Sequence, residues 1–449
     1  MKKTAMLLAL SLVFVLMAPA MAEVSLEEVF KAPGEDLKFI DTELDEPLVL
    51  AYKDKKYGVY NEKGENIIPF EYGRIAHLGS GLFEVIKEKG LNNHALINLK
   101  NEVIVDFLYG AYELISPELV AAVTLEKAEG EVYDYSSGFL GGGDKYIVKT
   151  YDIYNVLTRE KLGSFERADY DSSRAVDGHL AVKNRDDKVT VYDMSLQPVT
   201  TTNYLFDLEY DLKDEGGVKN LAGKYSNQVI AENVPYTSVS TSGNDGFLVV
   251  RGPEGAGLIN TKGQLLVPAV YDSIYATSAF TGYVVVVDDS LKGVADLEGN
   301  LLVPAKYTEI TTRFNRVFFN GYALVELDGK LGYVNMKGEE TLPVTYSKSA
   351  TVHGASLSLP DLDGSLYIIS ADGVKTKTEY ESFEQYFSDG TILKAQKGNT
   401  YDLVDWHGNV IFEGLSYSDL EANKSGGYVL YQDTLYKVAA AETAVETTE

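Results

Sequence analysis

Lys56–Tyr72 reads KYGVYNEKGENIIPFEY: two alternating apolar stretches flank Glu62-Lys63-Gly64, and the segment closes with Pro69 and, three residues later, Tyr72. The same order recurs as GAGLINTKGQLLVPAVY (255–271), LKGVADLEGNLLVPAKY (291–307) and KLGYVNMKGEETLPVTY (330–346). In every copy a glycine is followed five residues on by proline and eight residues on by tyrosine: Gly64/Pro69/Tyr72, Gly263/Pro268/Tyr271, Gly299/Pro304/Tyr307 and Gly338/Pro343/Tyr346. Four occurrences of a three-point spacing mark a unit of construction rather than a local turn.

Weaker copies fill the gaps. HALINLKNEVIVDFLY (94–109) keeps the tyrosine but has Asn101 for the glycine and Asp106 for the proline. The stretches 366–380 and 401–417 keep Gly373 and Gly408, while 151–163 and 189–204 are more worn. Turn-to-turn spacings of 37 (64 to 101), 36 (263 to 299), 39 (299 to 338) and 35 (338 to 373, 373 to 408) set a period of about 36 residues.

Within one unit, YALVE (322–326) alternates, and Asp328-Gly329 supplies the two positive-φ residues of a type I′ hairpin turn. LGYVN (331–335) returns, Gly338 takes a left-handed turn position, and ETLP (340–343) is expected to end at the proline, which has no N–H for a ladder and so marks a strand end or an edge. The tyrosine after it is expected to pack between neighbouring units. The predicted fold is all-β: tandem β-meander repeats of about 36 residues, propeller-like, with about ten hairpins. The first and last hairpins duplicate each other instead of completing one another, so an open β-solenoid, or two smaller rings split near 206–246, remain alternatives.

The spacing x-G-x-[VI]-[ND]-x-x-G-x-x-[VIL]-x-P-x-x-Y, best kept in Val267-Pro268-Ala269-Val270-Tyr271-Asp272-Ser273-Ile274, resembles the bacterial WG-repeat family. The resemblance spans roughly 47–438, and it departs from the family at the naming tryptophan, whose slot holds Tyr57, Ala256, Lys292 and Leu331. The single tryptophan, Trp406, lies two residues before Gly408. The resemblance implies repeat architecture and no reaction.

Residues 1–22 carry Lys2 and Lys3, an apolar run and Ala20-Met21-Ala22, the pattern of a secretory signal peptide cleaved near Ala22. The mature chain would have 427 residues (449 − 22), be exported to the periplasm or the medium, and carry a net charge of −29 (−27 less Lys2 and Lys3). That charge argues against nucleic acid as a partner, and no second apolar run offers a membrane segment. There is no cysteine, which removes disulfides and thiolate metal sites. Residues 23–46 read as an N-terminal cap segment in which SLEEVF (25–30) has the capping pattern of a short helical turn. Residues 47–438 read as the repeat array, with insertions at about 126–145 and 206–246, and 439–449 as a disordered acidic tail.

Chemistry is sparse. The five histidines, His77, His94, His179, His353 and His407, are far apart and read as lone surface or turn residues. GFLGGGDK (138–145) lacks the Lys-Ser/Thr ending of a phosphate loop, and GASLS (354–358) has Ser358 where a nucleophile elbow needs glycine. The acidic turns DLDG (361–364) and NDG (244–246) supply too few oxygens for calcium. No catalytic, metal or cofactor site is therefore assigned, and the chain is expected not to be an enzyme. Function is expected on what breaks the grammar, above all the first insertion, whose Tyr133, Tyr135 and Phe139 stand among Gly and Ser as candidate binding residues. The expected role is an exported scaffold that binds another exported protein or an envelope polymer such as a glycan. A structural envelope component and a carbohydrate-binding or glycan-active protein are the alternatives.

Overall fold

The computed structural model of the chain describes residues 24–32, 34–40, 46–88, 90–130, 133–136, 144–202, 209–242, 246–387, 389–416, 420–423 and 427–440. They form eleven small antiparallel sheets arranged as an eleven-bladed β-propeller, with 3-10 turns at Arg167–Asp169 and Ala279–Thr281. Blades 1 to 10 span 36–72, 74–109, 111–166, 172–202, 210–231, 238–271, 273–307, 309–347, 351–378 and 382–415; blade 11 combines 420–440 with the strand Val24–Lys31. Residues 1–23, with the expected signal segment, the residues beyond 440 and most of GFLGGGDK lie outside the described residues.

Blade 8 shows how the repeat builds a sheet. Tyr322–Leu327 pairs with Lys330–Asn335 across Asp328 and Gly329, whose φ values of 50° and 73° are those of a type I′ turn. In the next turn Asn335 Oδ1 accepts hydrogen bonds from the N–H groups of Lys337 and Glu339, at 2.9 and 3.1 Å. Asn61, Asn260 and Asp296 do the same in their own copies, which gives the Asn/Asp of the spacing its physical role. Gly338, at φ 76°, has a second constraint: a Cβ there would lie 2.6 Å from Leu302 O and 3.1 Å from Pro304 Cδ in blade 7. A Cβ on Gly299 would likewise lie 3.1 Å from both Leu266 O and Pro268 Cδ of blade 6, and one on Gly263 would meet Ile230 O of blade 5.

The fourth strand does not end at the proline. Glu340–Ser347 runs through Pro343 as an edge strand, where a missing N–H breaks no ladder. Tyr333 pairs with Leu342 and Leu331 with Tyr346, so Pro343, Val344 and Thr345 bulge opposite Gly332 alone. A Cβ on Gly332 would meet Leu342 O at 2.6 Å and Val344 Cα at 2.8 Å. Gly257 and Gly293 are overlain by backbone in the same way. The bulge bends the strand across the sheet face, and in several copies one residue, such as Gly73, Gly110, Asp272 or Thr308, then leads into the next blade. Tyr72 and Tyr307, 2% and 0% exposed, sit in the apolar layers between blades 1 and 2 and between blades 7 and 8. Tyr271 and Tyr346 are only half-buried in theirs.

The ring closes on itself. Each neighbouring pair of blades shares an apolar cluster, and the last of these sets Leu37, Phe39, Val49 and Ala51 of blade 1 against Tyr428, Leu430 and Leu435 of blade 11. Val24–Lys31 pairs antiparallel with Thr434–Ala440, Val24 opposite Ala440 and Lys31 opposite Thr434, which overturns both the helical reading of Ser25–Phe30 and the idea that the chain's two ends merely duplicate each other. A Cβ on Gly64 would lie 2.7 Å from Phe30, so this strand stands to blade 1 as the last strands of blades 5, 6 and 7 stand to the blades after them. First strands of neighbouring blades touch, Arg74–Gly79 with Ala111–Ser116 and Asp36–Phe39 with Leu420–Asn423, placing them on the axial side. Between 206 and 246 the chain builds the three-stranded blade 5, Tyr210–Glu215, Val218–Gly223 and Val229–Ala231, which accounts for the long gap between turns.

Candidate functional site

Three constellations depart from the repeat. The first is an arm on blade 3. Its strands Leu119–Lys127 and Lys145–Asn155, nine and eleven residues long, outrun those of the other blades, and the excursion between them adds the short strand Tyr135–Ser136. Asp134 fastens this excursion to its surroundings: its carboxylate accepts from Arg167 Nε at 2.8 Å, Arg185 at 2.9 Å and Val148 N at 2.8 Å. Burial opposes its ionisation, but these hydrogen bonds and the arginine charges hold its carboxyl down at about 2. Tyr135 folds inward and donates to Glu113 Oε1 at 2.7 Å; burial raises both groups above their ordinary values. Tyr133 stays 45% exposed, with Lys145 Nζ 4.6 Å from its ring centre. Of the three aromatic candidates, then, Tyr133 is presented outward, Tyr135 packs against the blade 3–4 core, and Phe139 lies outside the described residues.

The second is a set of buried histidines. His94, His353 and His407 are 8%, 2% and 5% exposed: His407 lies in a turn, as the surface-or-turn reading allows, but none of the three is at the surface. His353 Nε2 lies 2.8 Å from Ser358 Oγ, the spacing of a base and a nucleophile. Burial, aided by the charge of Arg313, brings His353 down to about 4, and Ser358 is itself buried. Near His407 the order is Ser370, Asp372, His407: the carboxylate accepts from the serine and lies 3.1 Å from His407 Nε2. With the carboxylate in the middle the imidazole cannot take the serine's proton, so this is turn architecture, not an activated nucleophile. Among the described residues no group of three or more His, Asp or Glu side chains is placed to hold a metal ion.

The third is a groove along the first strands of blades 8 to 10. A cavity of ≈ 440 Å³ is lined by Arg313, Phe314, Thr351, His353, Phe383 and Glu384, among others. Arg313 and Val352 separate it from a second of ≈ 280 Å³ that ends at Glu326 and Lys348. Sequence reasoning passed over these residues. The available signal was Arg313-Phe314-Asn315-Arg316, two of only eight arginines flanking an aromatic in a strongly acidic chain.

Three regions of the chain, 57–89, 257–286 and 293–330, match the family model described as the WG containing repeat. No curated protein matches the chain. Among solved structures, a eukaryotic initiation factor is 13% identical, with 88% of this chain and 98% of that one covered at a TM-score of 0.33. BamB from Moraxella catarrhalis is 11% identical, with 92% and 99% covered at a TM-score of 0.21. The matched regions fall on blades 1–2 and 6–8, where Gly58, Gly257 and Gly293 lie beneath the bulge and Tyr57, Ala256 and Lys292 pair with the repeat tyrosines. These three regions carry WG-family repeats, and Tyr57, Ala256, Lys292 and Leu331 stand in the slot expected to hold the repeat's tryptophan.

Proposed function

We propose that this protein is an exported, non-enzymatic binding scaffold: a rigid ring that holds out the blade 3 arm to another exported protein or to an envelope polymer. The arm carries the reading. It departs furthest from the repeat, and Asp134, gripped by Arg167 and Arg185, ties the segment 133–136 to the ring. An outward aromatic, Tyr133, beside the held Asp134 loses little entropy on binding. The acidic surface favours partners with basic faces. The test is affinity capture from a cell-envelope extract with the full chain as bait, against a variant whose residues 128–144 are replaced by a short turn. The expected result is a partner retained by the parent and lost by the variant; the same partners on both would refute the arm's role.

A further inference from the structure

We propose that the groove on blades 8 to 10 is a binding site for a short saccharide that carries a carboxylate, held by Phe314, Arg313 and Arg316. The site goes beyond the arm and lies on different blades.

The starting point is the conformation of Phe314. Arg313 and Arg316 exchange backbone hydrogen bonds of 3.1 and 2.8 Å around a two-residue turn in which Phe314 and Asn315 have φ values of 48° and 55°. The left-handed region favours glycine, asparagine and aspartate and costs an ordinary side chain about 1–2 kcal/mol. Phe314 is the sole aromatic at a positive φ among the described residues. Core burial does not offset that strain, because the ring is 59% exposed. Nor is the loop loose. Val317 and Phe319, 0% and 3% exposed, anchor it, and Phe319 closes a second tight turn with Tyr322 through bonds of 2.8 and 2.9 Å. The fold therefore holds a strained aromatic outward on a fixed base, a combination that points to a ligand.

The surroundings define that ligand. Arg313 donates to Val352 O at 3.0 Å, and among the described residues neither it nor Arg316 has a carboxylate partner, although the chain carries a net charge of −27. Arg313 lines the cavity with Phe314, and Arg316 closes the same turn; a guanidinium beside a ring suits a planar carboxylate together with an apolar face. Across the cavity Glu384 and Thr351 supply an acceptor carboxylate and a hydroxyl, which suit the hydroxyl groups of a sugar. A long polyanion would be repelled by the rest of the surface, whereas a short uronate offers one carboxylate to the arginines, hydroxyls to Glu384 and a C–H face to Phe314. The cavity, ≈ 440 Å³, is in the size range of small-ligand pockets.

The test is isothermal titration of the full chain with tri-galacturonic acid, with maltotriose and an acetylated tri-glutamate peptide as comparison ligands. Saturable binding of the uronate alone is expected. Phe314→Asn, which suits the left-handed turn, should weaken it at least about tenfold without lowering the urea midpoint; Arg316→Gln should weaken it similarly and flatten its salt dependence. No binding of the uronate, undiminished binding by both variants, or equal binding of maltotriose or the peptide would overturn the proposal. The arm-replacement variant should keep the sugar, so failure here and failure of the arm reading are separate results.

Discussion

Gly257, Gly293 and Gly332 are confined by backbone, which cannot yield as a side chain can. Gly332→Ala should destabilise the protein by about 2–3 kcal/mol, since its Cβ would force the bulge off the sheet. Gly364→Ala is the control. It has open space but a φ of 84°, so it should cost about 1–2 kcal/mol of backbone strain alone. Urea unfolding of the two variants separates crowding from strain, and equal losses would remove the bulge argument. His353 gives the pH counterpart. Above its unfolded value of 6.5 the ring is neutral in both states and contributes nothing. Between 6.5 and about 4 the unfolded chain takes up a proton that the buried ring refuses, so stability drops as pH falls through this window, by up to about 3 kcal/mol. Asp134 has the same sign at lower pH, its contribution present above 3.8 and lost as pH falls towards about 2, so the two windows do not overlap. Urea midpoints at pH 7.5 and 4.5 should differ more for the parent than for His353→Gln, whose side chain does not titrate; an equal drop in both would show that the ring does not cause it.

At the scale of single elements, the meander was legible because its hairpin signals are local: Asp328-Gly329, Gly338 and Pro343 each impose a backbone geometry whatever surrounds them. The strand Val24–Lys31 was not, for a physical reason. Its register shifts between Glu28 and Phe30, so Leu26 faces the blade 10–11 layer while Val29 and Phe30 face blade 1, and the period of two disappears. What remains in the sequence is Ser25 with Glu28 three residues on, a helix-capping pattern that tertiary pairing overrides. The excursion of blade 3 was visible as a break in the repeat, yet its aromatics could not be sorted, because Tyr135 is drawn inward by Glu113, 22 residues away in sequence. The Phe314 turn was equally hidden: nothing in Arg-Phe-Asn-Arg announces a left-handed phenylalanine. The arm's fastening can be tested directly. Asp134→Asn keeps the shape but removes the charge that Arg167 and Arg185 share, so limited proteolysis within 128–146 should accelerate severalfold while the global urea midpoint stays within about 1 kcal/mol of the parent. Unchanged cleavage would mean that packing of Tyr135, rather than the ion pairs, holds the arm.

Across the whole molecule, stability is shared among eleven similar interfaces, and the ring survives only if none of them opens. Ten are backed by chain continuity. The eleventh, between blades 11 and 1, is backed by the pairing of Val24–Lys31 with Thr434–Ala440. Sequence could not decide between ring and solenoid because that decision rests on this one non-local pairing, which no spacing within a unit encodes. Its value can be measured by moving it. Val24 lies opposite Ala440, so a two-residue Asn-Gly turn can join them, and new ends can be cut elsewhere. Ends cut between Leu362 and Asp363, in the exposed turn of blade 9, leave Ser356–Pro360 and Leu366–Ser370 as terminal strands that still pair at five positions, recreating the closure. Ends cut between Glu379 and Tyr380 keep every sheet whole but leave blades 9 and 10 joined only by their apolar faces. Roughly five ladder bonds at about 0.5–1.5 kcal/mol each separate the two designs, so the second should unfold about 3 kcal/mol more easily than the first. It should also show a larger radius of gyration by small-angle scattering before its main transition, as the ring gapes at the unpaired seam. If both permutants unfold at the parent's midpoint, face-to-face packing alone closes the ring, and the shared blade is a by-product of where the chain starts rather than the latch that the geometry indicates.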